Sequence, residues 1–154
     1  MRPLLQISLL TATLYACSES APPPAATVPQ KPVTDMQQFM EWILEPPADV
    51  IWDSAGTIIT AEGRTELAPT TDEGWTTVIH AAAALAEAGN LLMIPGRSMG
   101  QDWDEYSAGL TEAAKLALAA AQAQDAEALF DAGGAIYQVC RACHNQYWPE
   151  ARRD

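Results

Sequence analysis

Two of the three cysteines and one of the two histidines in this chain fall within five residues, Cys140-Arg141-Ala142-Cys143-His144, inside the stretch VCRACHNQY. On a helix, positions three and four apart share a face. Cys140 therefore lies beside Cys143, and His144 stands one turn beyond Cys140. Two thiols and an imidazole on one side can fasten a porphyrin. Each thiol adds across one vinyl group, and the adjacent histidine reaches the iron. Cys-x-x-Cys-His is the recognised attachment signature for haem c. One covalent haem c is expected, held by Cys140 and Cys143, with His144 as an axial iron ligand. Arg141, between the cysteines, is a candidate partner for a propionate.

Three rival chemistries use the same residue types. A redox-active Cys-x-x-Cys pair belongs at the N-terminus of a helix that follows a strand, where the positive dipole end lowers a thiol pKa. Here the motif falls in the last turns of a helical pattern. A zinc site needs four ligands, and the other histidine, His80, lies between the apolar positions Val78 and Ala82, facing outward. A structural disulfide suits an exported protein, but cysteines on adjacent turns of one helix bridge poorly, and a disulfide leaves His144 unexplained.

The elements that must position this motif are helical. After Thr34 or Asp35 as a cap, Met36, Met40 and Ile43 share a face. Pro46-Pro47 should kink or split this first helix and push Glu45 out of the α region. Residues 56–70 form a long connection, in which Thr57-Ile58-Ile59-Thr60 has extended character but no evident strand partner. A capping box from Thr70 to Glu73 starts the second helix, whose stripe is Trp75, Val78, Ala82, Leu85, Gly89 and Leu92, stopped by Pro95-Gly96. A third spans about 101–121 on Trp103, Tyr106, Leu110, Ala113 and Ala117. Asp125 caps the fourth, with Leu129, Gly133, Ile136, Cys140, Cys143 and Tyr147 in line and Pro149 beyond. The expected fold is all-α, an antiparallel four-helix bundle with covalently attached haem, its first helix kinked at Pro46-Pro47. Trp42, Trp52, Trp75, Trp103 and Trp148 are expected as core or interface anchors.

Ahead of the bundle, residues 1–16 carry Arg2, an apolar run without acids, and Ala16 directly before Cys17, the pattern of an export signal. Ala16-Cys17 resembles a bacterial lipoprotein junction, which makes Cys17 the lipidation candidate; ordinary cleavage near Ala16 or Ala21 is the alternative. Residues 17–33 are a Pro- and Ala-rich tether, 34–150 the bundle domain and 151–154 a short tail.

With CRACHNQY on the last helix, AEALFDAGGAIYQV before it and MQQFMEWI on the first, residues 34–150 resemble the class II c-type cytochromes, the cytochrome c-prime group. These are exported four-helix bundles with the haem motif near the C-terminus. The resemblance implies that the first helix builds the distal face of the haem. Met40 falls where the distal residue would be, and a methionine there ligates iron in low-spin members. Met40 is thus a candidate second axial ligand, against the plain alternative of core filler, with Met36, Met93 and Met99 behind it. Met36 stands where the group usually has a basic residue, and Pro46-Pro47 is atypical, which marks a divergent member. Arg97 is a further candidate for a propionate.

Eight basic side chains oppose twenty acidic ones, a net charge of −12. This disfavours nucleic acid, whose phosphates require clustered Lys and Arg, and favours redox partner proteins with a basic docking face. No nucleophile–base set or phosphate loop occurs, so an electron-transfer protein rather than an enzyme is expected. The functional expectation is an exported, periplasmic one-electron carrier, membrane-anchored through Cys17. The alternative is a five-coordinate haem protein that binds nitric oxide or carbon monoxide. Antiparallel dimers occur in the related group, so the resemblance allows a homodimer.

Overall fold

The structure is a computed structural model that describes residues 30–152. The expected signal segment and Cys17 lie outside these residues. Asp35 starts the first helix: its carboxylate accepts the Gln38 amide at 2.8 Å, while the Gln38 side chain accepts the Asp35 amide at 3.3 Å. This reciprocal cap opens α1, Met36–Phe39, which widens into a π-helical turn, Met40–Leu44, and continues as α2, Glu45–Asp53. The proline pair does not expel Glu45 from the helix, contrary to the sequence expectation. Glu45 stays at φ −62° and ψ −50°, donating its amide to the Met40 carbonyl five residues back. Both prolines then fall in the first turn of α2, where a missing donor leaves no bond unmade. The helix is interrupted by one wide turn, not broken.

A second correction concerns residues 56–70. Thr57–Thr60 (β1) does have a partner: it pairs antiparallel with Gly63–Glu66 (β2), Thr57 opposite Glu66 and Thr60 opposite Gly63. The all-α expectation therefore misses one small hairpin. Gly63, at φ +146°, supplies the backbone conformation of the tight turn. The Thr57 hydroxyl donates to Glu66 at 2.8 Å and Arg64 pairs with the same carboxylate, so polar contacts hold the strands.

The remaining helices follow their apolar periods. Thr71, one residue later than expected, caps α3, Asp72–Leu92, by accepting the Gly74 amide. Gly100 precedes α4, Gln101–Gln122, and Asp125 caps α5, Ala126–Tyr147. α3 packs against α4, α4 against α5, and α2 against both α3 and α5, around one core. Every stripe position named for α3 is buried. Alanines 113, 114, 117, 120 and 121 make the C-terminal part of the buried face of α4, and such small side chains let helices approach closely. At Gly89 the approach is closest: a Cβ there would sit 3.0 Å from the Ser107 carbonyl and collide with the Thr111 hydroxyl. Trp52 ties α2 to α5 by donating its indole N–H to the Gly133 carbonyl at 3.0 Å.

Candidate functional site

The motif occupies the last two turns of α5. There the helix dipole is negative and the chain must present both sulfurs before the helix stops at Trp148. Cys140, Cys143 and His144 are all half-buried, and the cysteines are free thiols. Burial pushes the Cys140 thiol above its ordinary range. Burial, then the neighbouring Cys140, pushes Cys143 up to about 11. Both therefore carry their protons at neutral pH, the opposite of an activated redox dithiol, whose thiolate is favoured. Burial also lowers the pKa of His144, which favours the neutral imidazole that a metal requires. Among the described residues no group of three or more His, Cys, Asp or Glu side chains gathers as a metal site.

All three motif side chains open on one cavity of about 750 Å3. Met36 and Met40 line it from the first helix, and Met99 from the segment between α3 and α4. Leu44, Ala48, Leu85, Trp103 and Leu110 complete an apolar interior. A volume of this order falls within the range of cofactor pockets, roughly 300–1,000 Å3. A flat apolar macrocycle carrying iron fits this donor set: two thiols and an imidazole on one wall, thioethers on another. Met93, the remaining methionine candidate, is partly buried and does not line the cavity.

Aromatic side chains fix the end of α5. The Trp148 indole meets the His144 ring edge-on with centroids 5.6 Å apart, and the Trp148 amide donates to the His144 carbonyl at 2.8 Å. Tyr147 stands edge-on to Trp103 at 5.0 Å, and Trp103 itself donates to the Leu92 carbonyl at 2.9 Å. Tyr106 donates to Gln146, and Gln146 to Asp102, so α4 also holds this end of α5. Trp75 and Trp103 are core anchors as expected, whereas Trp42 and Trp148 are exposed. The contact of Trp148 with His144 is not legible in the sequence beyond their spacing of four.

Arg141 is exposed and borders a second, smaller cavity of about 270 Å3 with Trp52, Tyr137, Cys140, His144, Asn145 and Trp148. Arg97 is elsewhere. Its guanidinium is buried, lies 3.9 Å over the Phe39 ring, and donates to Thr34 and to the Leu91 carbonyl. It clamps the start of α1 and lines neither cavity, so the expectation that it reaches a propionate gains no support. His80 is exposed, as its outward position implies. The carboxylates Glu41 and Glu45, absent from the sequence candidates, line the larger cavity; no sequence signal singled them out.

No family model, curated protein or solved structure matches the chain.

Proposed function

We propose that the protein is an exported monohaem c-type cytochrome that carries single electrons, built as a divergent antiparallel four-helix bundle of the class II kind. One observation supports this above all: Cys140, Cys143 and His144 share the lining of a single apolar cavity with Met36 and Met40. When bound, haem c supplies an iron centre that alternates between ferric and ferrous states. The chain's own residues do the rest. The thiols of Cys140 and Cys143 would hold the group as thioethers, each by addition across one vinyl group with its hydrogen passing to the vinyl carbon. His144 in its neutral form, oriented by Trp148, would be an iron ligand, and Met40 would be a second, a soft neutral donor that raises the potential. Leu44, Leu85, Trp103 and Leu110 exclude water, and Arg141, at the edge of the adjoining smaller cavity, would meet a propionate. Export to the periplasm and a lipid anchor at Cys17 belong to the same proposal.

The test is intact mass and visible absorption of the exported chain. One covalent macrocycle is expected, with either Cys140→Ala or Cys143→Ala greatly reducing it; a wild-type chain that carries none would refute the proposal. A second possibility, a five-coordinate binder of nitric oxide or carbon monoxide, is favoured by the leucines Leu44, Leu85 and Leu110, which line the same cavity as Met40. Low-spin ferric iron that turns high-spin in Met40→Ala decides for the carrier. High-spin iron in the wild type, with rapid gas uptake when reduced, decides for the gas binder.

A further inference from the structure

The larger cavity has an apolar mouth. Met99 and Trp148 line it and are 53% and 55% exposed. Glu41 and Glu45 line the same cavity, and Asp49 and Asp53 follow them along α2 at the same step of four. All four carboxylates are exposed. No lysine or arginine occurs between Met36 and Asp53. The ion pairs among the described residues, Arg64 with Glu66 and Lys115 with Glu112, leave this ridge uncompensated.

The pattern works against the helix that bears it. Like charges one turn apart repel, and Asp49 and Asp53 occupy the C-terminal half of α2, where the dipole favours cations. A surface needed only for solubility would intersperse both signs. A concentrated row of one sign, beside an apolar opening to a cofactor cavity, suits recognition.

Resting on the haem proposal above, we infer that this mouth and the ridge Glu41, Glu45, Asp49 and Asp53 form the docking surface for a protein partner. That partner presents an apolar centre flanked by lysine or arginine side chains. Met99 and Trp148 supply the apolar middle, and the carboxylates one side of a polar rim, the usual anatomy of an interface. Charges at a rim chiefly set encounter rate and orientation, which suits an electron-exchange complex that must also part quickly. The ridge acts over about one Debye length, ~10 Å at 0.1 M salt. It repels anionic membrane surfaces, which leaves the mouth free for that partner.

The test uses the mature haem-bearing chain, the variant Glu41→Gln/Glu45→Gln/Asp49→Asn/Asp53→Asn, and a control of equal charge, Glu73→Gln/Glu87→Gln/Glu127→Gln/Asp131→Asn. Electron exchange is followed by stopped flow with the cation hexaammineruthenium(II) and the anion hexacyanoferrate(II), and oligolysine binding by calorimetry. At low ionic strength the ridge variant should lose about tenfold in rate with the ruthenium complex and gain with hexacyanoferrate. It should also lose oligolysine binding, while the control keeps near wild-type behaviour and high salt erases the differences. Equal responses of the two variants would mean that net charge alone acts, and would overturn the inference, as would no response in either. Calcium binding at the ridge as tight as that of oligolysine would also overturn it, in favour of a plain cation site. If the wild type carries no haem, the cofactor proposal fails separately, and oligolysine binding to the same chain still judges the ridge.

Discussion

Cys140 and Cys143 are held as protonated thiols, and this has a measurable consequence before any haem is attached. Cys143 titrates near 11 in the folded chain against an ordinary 9.0, and Cys140 shifts the same way, both through burial. Between those values the unfolded chain has lost thiol protons that the folded chain keeps, so stability falls as pH rises above 9. His144 acts at the other limb. Its folded pKa lies below the ordinary 6.5, so the unfolded chain takes up the proton first and stability falls as pH drops below that value. Urea midpoints of the haem-free polypeptide, followed by circular dichroism, should therefore be highest between about 6.5 and 9. The alkaline decline should shrink in the Cys140→Ala/Cys143→Ala chain. On the haem proposal it should shrink likewise in the haem-bearing chain, because a thioether sulfur has no proton to lose. A decline of equal depth in all three would show that the thiols are not buried as described.

Helical glycines that look alike in the sequence differ sharply in what surrounds them. Gly89 faces the Ser107 carbonyl and the Thr111 hydroxyl of α4 across the closest helix contact, whereas a Cβ on Gly134 of α5 would meet nothing within 4 Å. Gly89→Ala should therefore destabilise by about 1–3 kcal/mol through overpacking, more than the ~1 kcal/mol that alanine returns in helix propensity. Gly134→Ala should stabilise by about 0.5–1 kcal/mol. Chemical denaturation of the two variants checks both signs. The sequence makes α3, α4 and α5 legible because each buries one stripe of apolar residues at steps of three and four. The hairpin escapes because neither strand buries a face: without alternation, Thr57–Thr60 and Gly63–Glu66 carry no period to read. The π-turn escapes for a different reason. Pre-proline sterics express a preference of the isolated backbone, and one wide turn before a restarted helix satisfies the prolines without moving Glu45. At the site, the shared face of Cys140, Cys143 and His144 was legible from spacing, whereas Met40 was singled out only through the group resemblance. The acidic ridge was not, because four carboxylates in a chain with twenty gain meaning only when two of them line the cavity.

The whole molecule divides into a body that the helices hold together and an appendage that it does not need. Ile59 is 74% exposed and every residue of β2 is exposed, so the hairpin buries no apolar row against the helices. Its strands pair only with each other. At its base the Leu67 amide donates to the Gly56 carbonyl at 3.0 Å, and these two ends are thus already adjacent without the strands between them. Replacing residues 58–65 by a short Gly-Ser linker shortens a closed loop, and halving a loop changes closure entropy by only about 0.6 kcal/mol. The cavity loses nothing, since none of its lining residues comes from the hairpin. The linker variant should therefore keep its helical circular dichroism and its melting temperature within a few degrees, and, on the haem proposal, the attached group with an unaltered visible spectrum. Loss of haem in this variant, with the helices intact, would show that the hairpin acts on the site through a contact outside the cavity lining. Its exposed isoleucines would then be part of the protein's working surface, and Ile58→Ser/Ile59→Ser in the full chain should reproduce the loss.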